Sequence, residues 1–77
     1  MLQYGIMDSS VRIKLGKKIR KYRLELGYTQ EKLSETASID YKYLQRVEGK
    51  NPPALKIDTI NKLAKAFKIT IAELLEF

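Results

Sequence analysis

The side chains of this chain that could do chemistry lie in one stretch, TQEKLSETASIDYKYLQRVEG, which spans residues 29–49. Lys42 and Arg46 are four residues apart, so a helix would place them on one face. Tyr41 and Gln45 adjoin that face. These groups offer hydrogen-bond donation and ionic contact, so we predict a recognition surface here.

The overall composition favours binding over catalysis. Histidine and cysteine are both absent, which removes the commonest general base, thiolate metal sites and disulfides. The formal charge is +6, and it favours a polyanionic partner: nucleic acid first, an anionic membrane or acidic protein second. Eleven of the 15 Lys and Arg residues lie in residues 1–50, against six of the nine Asp and Glu residues. We therefore expect neither an enzyme nor a cofactor.

The length and hydropathy predict one cytoplasmic domain. A chain of 77 residues buries only roughly 60% of its unfolded surface, which leaves no room for a second core. No apolar run approaches the roughly 18 residues that span a bilayer, and residues 1–10 lack a leader pattern. We interpret residues 1–10 as a loosely ordered arm, either reaching along a groove or frayed, with the domain at 11–77. A helix start is expected at Asp8, Ser9 or Ser10.

The hydrophobic spacing predicts three helices in the front half of the chain. The first spans residues 11–26 and is followed by Gly27, a typical left-handed cap. Thr29 and Asp40 are suitable N-caps for a second helix over about 30–36 and a third over 41–48. The expected inward positions are Val11, Leu15, Ile19, Tyr22 and Leu26 on the first helix, and Leu33, Ala37, Ile39, Leu44 and Val47 on the next two.

Two further helices are predicted after a proline-containing loop at residues 50–55. The fourth spans about 57–67, and Thr70 with Glu73 forms a capping-box pattern that starts the fifth. The fourth helix has an inward stripe of Ile57, Ile60, Leu63, Ala64 and Phe67. The apolar residues of the fifth, Ile71, Leu74, Leu75 and Phe77, either close the small core or are shared with a second subunit.

Residues 15–75 resemble the Xre/Cro-like helix-turn-helix DNA-binding proteins, which include phage repressors and restriction-modification controller proteins. The resemblance rests on LGKKIRKYRLELGYTQEKL, the turn SID, the helix end YLQRVEG, and DTINKLAKAFKITIAELL. It implies an all-α, compact five-helix bundle of the lambda-repressor type, with helices two and three as the helix-turn-helix. It also implies a homodimer that binds near-palindromic double-stranded DNA with helix three in the major groove. The apolar residues noted above predict that the dimer forms through helices four and five.

The resemblance assigns roles to individual residues of this chain. Tyr41, Lys42 and Arg46 fall where the family places base-contacting side chains, and Gln45 lies beside them. Arg and Lys can donate to guanine, and Gln can pair with adenine. The candidate phosphate-contacting residues are Gln30, Tyr43, Lys50 and Asn51, with Tyr43 alternatively a partly buried support. The basic face of helix one adds Lys17 as a further candidate. Arg23 and Glu48 match a family pair that bridges helix one to the end of helix three.

The function expected from the sequence is that of a sequence-specific DNA-binding transcriptional regulator. A restriction-modification controller, a phage-type repressor and a DNA-binding antitoxin fit these residues equally. The alternative is an antitoxin-like or other protein-interaction module whose basic face docks an acidic partner. Neither a small-molecule ligand nor a membrane partner is expected.

Overall fold

Five helices make up the computed structural model, which describes residues 8–77. They are α1 (Ser9–Glu25), α2 (Gln30–Ala37), α3 (Tyr41–Val47), α4 (Ile57–Phe67) and α5 (Ile71–Leu74). No strand occurs in this part of the chain, so the all-α class is confirmed. Most of the predicted arm lies outside the described residues, and the division into an arm and a domain stays a prediction.

The starts of four helices are encoded by local polar residues. Each cap side chain accepts a hydrogen bond from the backbone N–H three residues further on, which satisfies one of the otherwise unpaired donors of the first turn. The caps are Asp8, Thr29, Asp40 and Thr70. Thr70 and Glu73 complete the predicted capping box. Lys56 precedes α4 and makes no side-chain cap bond, yet α4 still begins at the predicted position.

Within residues 8–77, three residues with positive φ lie at helix ends. Gly27 has φ 72°, as its position after α1 predicted. Ser38 (φ 57°) and Lys68 (φ 61°) adopt the same left-handed region at the ends of α2 and α4, although both carry a Cβ. Left-handed backbone disfavours residues other than glycine, so both caps store some conformational energy.

One hydrophobic core holds the helices together, and most predicted inward residues lie in it. Ring stacking adds to this packing, because Tyr22 on α1 lies 5.4 Å from Phe67 on α4, centroid to centroid. Lys18 also donates a hydrogen bond to the Glu76 carbonyl, which joins α1 to the end of the chain. The most deeply buried large side chains are Leu15, Ile19, Leu33, Leu44, Val47, Leu63 and Leu74.

Three inward or interface predictions are corrected by the structure. Leu26 is 46% exposed, because α1 ends at Glu25 and the chain turns away from the stripe. Ile57 is 60% exposed. Three residues turn a helix by about 300°, which is about 60° short of a full turn. Over the two steps from Ile57 through Ile60 to Leu63 this shortfall doubles, so Ile57 points to a different side of α4 from Leu63. Leu74 is fully buried in the chain's own core, so it is not available to a second subunit.

Candidate nucleic-acid interface

A short turn fixes the angle between α2 and α3. Ser38 takes the left-handed conformation, and the N–H of Ile39 donates to the Ser34 carbonyl at 2.9 Å. Asp40 then caps α3 by accepting from the N–H of Tyr43 at 2.9 Å. Since the turn satisfies its own backbone groups, α3 begins at a defined position relative to α2.

The end of α3 is held by a buried ion pair that reaches back to α1. Arg23 Nη2 and Nε donate to the two carboxylate oxygens of Glu48 at 2.8 and 2.9 Å. Their side chains are only 10% and 3% exposed. Arg23 Nη1 also donates to the Tyr28 carbonyl at 2.8 Å, so one guanidinium ties together α1, the α1–α2 loop and the end of α3. The predicted bridging role of this pair is confirmed.

A close approach between α1 and the end of α3 adds a second constraint. A Cβ placed on Gly16 would lie 2.3 Å from the carbonyl oxygen of Val47. Only glycine therefore allows α1 to lie against α3 at this distance. The sequence reasoning did not identify this contact.

The outward face of α3 carries the four predicted base-contacting residues, and all of them are exposed. Gln45 Nε2 donates to the Tyr41 hydroxyl at 3.2 Å, which joins two members of the face. Among residues 8–77 the only ion pair is Arg23–Glu48, so neither Lys42 nor Arg46 is neutralised by a carboxylate there. The structure thus brings the four side chains together as a surface of hydrogen-bond donors. Their base contacts stay a prediction.

Tyr43 lies between the core and this face. It is half-buried and packs against the hydrophobic core, as the support interpretation expects. Burial raises the pKa of its phenol, and the nearby charge of Arg46 partly opposes that rise. A phosphate contact by the Tyr43 hydroxyl stays a prediction.

The other predicted phosphate contacts fall in three different places. Gln30 lies at the start of α2 and donates to Glu48 Oε1 at 3.2 Å, so part of its amide is engaged inside the protein. Lys50 and Asn51 are exposed and line a groove beside Arg46. Lys17 instead lines a separate depression on the outer side of α1, so the structure does not bring it to α3.

The groove also contains a residue, Arg12, to which the sequence analysis assigned no role. Arg12, on the second turn of α1, lines it together with Arg46 and Lys50. The available signal was its spacing, because Arg12 lies four residues before Gly16 on the same helical face. A small residue facing a neighbouring element marks where two backbones approach, and Arg12 is one turn away from that approach.

Within residues 8–77 there is no cluster of three or more acidic residues that could hold a metal ion. Across the same residues, no helix has the length and hydropathy to cross a bilayer.

Comparison with known proteins agrees with this geometry. A family model described as "Helix-turn-helix domain" matches residues 16–76. No curated protein sequence is significantly similar. The restriction-modification controller protein C.AhdI from Aeromonas hydrophila is 31% identical, with a TM-score of 0.78, and the match covers 84% of this chain and 97% of that one.

Two further solved structures show the same fold. SinR, the master regulator for biofilm formation from Bacillus subtilis, solved in complex with DNA, is 27% identical with a TM-score of 0.75. That match covers 80% of this chain and 98% of the SinR chain in that structure. A hypothetical transcription factor from Neisseria, NHTF, is 26% identical with a TM-score of 0.79, over 99% of this chain and 87% of that one.

The family match and these solved relatives show a DNA-binding transcription regulator rather than an enzyme. This chain belongs to the helix-turn-helix domain family, in its Xre/Cro-like form, as its motifs predicted.

Proposed function

We propose that this protein is a sequence-specific regulator that acts in the cytoplasm by placing α3 in the major groove of an operator. The observation that carries the proposal is the contrast within α3: a rigidly held end and an outward face of exposed, unneutralised donors. An α-helix with its side chains is roughly 10–12 Å in diameter, so α3 fits a major groove about 12 Å wide.

Within that pose, Lys42 and Arg46 would donate to guanine O6 and N7, and Gln45 would pair with adenine. The hydrogen bond from Gln45 to the Tyr41 hydroxyl supports a preset orientation of the amide, which lowers the entropy lost on binding. Gln30, Lys50 and Asn51 would contact phosphates on either side. Phosphate contacts position the protein, so they carry no base preference themselves.

We also propose a homodimer on a near-palindromic operator. The apolar end of the chain supports it: Ile71 and Leu75 are half-buried, and Phe77 is 53% exposed. Joining two copies there would remove this apolar surface from water. A two-fold dimer would read two half-sites separated by about one helical turn of DNA, or about 34 Å.

Selection of bound duplexes from a random pool tests the proposed function directly. We expect a palindromic consensus with half-sites about one helical turn apart. A consensus with a single half-site would contradict the dimer, but it would still support sequence-specific binding. Equal binding of all duplexes across a salt series would contradict specific recognition and favour the docking of an acidic protein.

Sedimentation of the free protein tests the dimer surface separately. We expect wild type to sediment as a dimer and Phe77→Ser to shift it towards monomer, because the exposed ring is lost. The matched control is Leu24→Ser, at a side chain on α1 that is 55% exposed. If Leu24→Ser dissociates the dimer and Phe77→Ser does not, the interface lies elsewhere.

A further inference from the structure

The groove between α1 and the segment that follows α3 has features of a second anion-binding site. Its volume is about 300 Å³, and three cations line it, Arg12 from α1, Arg46 from α3 and Lys50 from the following loop. Asn51 adds an amide, and Pro52 forms part of the wall. Three separate elements thus contribute cations to one concave surface.

This groove is held in shape by contacts already described. The closeness of Gly16 to the Val47 carbonyl fixes α1 against the end of α3. Pro52 is buried, with its ring 3.8 Å from the position a Gly16 Cβ would take, which anchors the loop to α1. The backbone positions of the cations are therefore set before any ligand arrives, which reduces the cost of binding.

The electrostatics of the groove favour an anion. None of its lining residues is acidic, and neither Arg12 nor Lys50 has an ion-pair partner in the described part of the chain. The nearest carboxylate by sequence, Asp8, accepts a hydrogen bond from the Val11 N–H as the cap of α1. Gathering like charges raises the free energy of the protein unless an anion offsets it.

Arg46 belongs both to this groove and to the outward face of α3. An anion in the groove would therefore lie next to the partner that α3 contacts. If that partner is a DNA duplex, the anions next to the contacted bases are backbone phosphates. We propose that the groove binds a backbone phosphodiester flanking the half-site, with Arg12 as a phosphate-contacting residue. This inference rests on the proposed function, because it assumes that α3 faces DNA.

The test compares Arg12→Ala with wild type on a selected duplex and on an unrelated one, between 50 and 200 mM salt. The controls are Arg12→Lys, which keeps the charge, and Lys65→Ala, which removes an exposed cation from the far side of α4. One lost phosphate contact lowers the slope of log affinity against log salt by about 0.9. When the salt concentration rises from 50 to 200 mM, the affinity of both proteins falls. The factor of that fall should be about 3.5 times smaller for Arg12→Ala than for wild type.

We expect Arg12→Ala to weaken both duplexes by the same factor, while Arg12→Lys and Lys65→Ala keep the wild-type slope. An unchanged slope for Arg12→Ala would overturn the proposal. A loss confined to the selected duplex would also overturn it, since that result would indicate a base contact. If wild type shows no sequence preference, the proposed function fails, but the Arg12 slope remains measurable on any duplex.

A final experiment tests whether the groove binds a phosphate of the DNA backbone or free inorganic phosphate. Chloride is replaced by inorganic phosphate at constant ionic strength, with wild type and Arg12→Ala compared on the unrelated duplex. We expect the two proteins to respond alike. Saturable inhibition of wild type alone would mean that the groove takes free phosphate, which would overturn the backbone assignment.

Discussion

The inner and outer sides of α3 differ in burial, charge pairing and expected tolerance to mutation. On the inner side, Leu44 and Val47 are almost fully buried, and Glu48 closes the helix in a buried pair with Arg23. On the outer side, Tyr41, Lys42, Gln45 and Arg46 are exposed, and neither of the two cations has an ion-pair partner among residues 8–77. The inner side positions α3, and we propose that the outer side reads DNA sequence, so substitutions on the two sides should fail in different assays.

The largest expected effect comes from breaking the buried pair with Glu48→Ala. Arg23 would keep its charge in a site that is only 10% exposed, without the carboxylate that offsets its desolvation. We expect a loss of about 3–5 kcal/mol in the free energy of unfolding, measured by urea denaturation. The control is Glu35→Ala on the exposed side of α2, which should change stability by less than about 0.5 kcal/mol. Equal effects at the two positions would show that the pair does not hold α3.

Gly16→Ala should have the next largest effect. Alanine improves helix propensity, but its Cβ would have to displace the Val47 carbonyl that lies 2.3 Å away. We expect a net destabilisation of about 1–3 kcal/mol by urea denaturation, together with weaker DNA binding because α3 is moved. Lys17→Ala, at the next and exposed residue of α1, serves as the stability control. A fully stable Gly16→Ala protein would mean that the approach of α1 to α3 is not constrained.

A smaller change of opposite sign is expected at the turn before α3. Ser38 has φ 57°, a conformation that glycine adopts without the Cβ penalty. Ser38→Gly should therefore stabilise the protein by roughly 0.5–1 kcal/mol, after allowance for the greater entropy of unfolded glycine. Thermal melting measures it, and Lys68→Gly at the equivalent cap of α4 should behave similarly. Destabilisation by both substitutions would contradict the assignment of strain to these caps.

The smallest predicted effect is a pH dependence at Tyr43, which lies between the two sides. Burial raises the pKa of its phenol above the ordinary 10.0, so the folded protein retains the proton more tightly than the unfolded chain. This contribution to stability is constant below about pH 10 and is lost as the pH rises through the raised pKa. Urea midpoints above pH 10 should fall less for Tyr43→Phe than for wild type. The exposed Tyr41→Phe control should keep the wild-type fall, and identical profiles for all three proteins would contradict the prediction.

Local signals explain why the sequence predicted the helices well. The caps and terminators act within a few residues, so Asp40 and Gly27 could be assigned from sequence. Ile57 was assigned wrongly because a run of three-residue steps drifts round the helix, and its exposure depends on which elements pack nearby. The left-handed Lys68 carried no compositional signal, since helix ends of this kind usually have glycine or asparagine there.

Contacts between distant parts of the chain account for what sequence reasoning missed. The proximity of Gly16 to Val47, and the groove that Arg12 enters, exist only once α1 lies against α3. The Arg23–Glu48 pair is also non-local, and it was predicted because the family resemblance supplied the pairing that local patterns could not. Spacing and resemblance together predicted base contacts for Tyr41, Lys42, Gln45 and Arg46. The structure gathers these residues on one exposed surface, and their base contacts stay a prediction.

The most direct test of the division between positioning and reading is one paired measurement on Arg46→Ala. Its affinity for the selected duplex is compared with its affinity for an unrelated duplex, and its unfolding free energy is measured in the same buffer. We predict a loss of about 1–3 kcal/mol on the selected duplex, reduced discrimination at one base position, and stability within about 0.5 kcal/mol of wild type. Equal losses on both duplexes, or a large loss of stability, would contradict the claim that the outer side of α3 reads sequence.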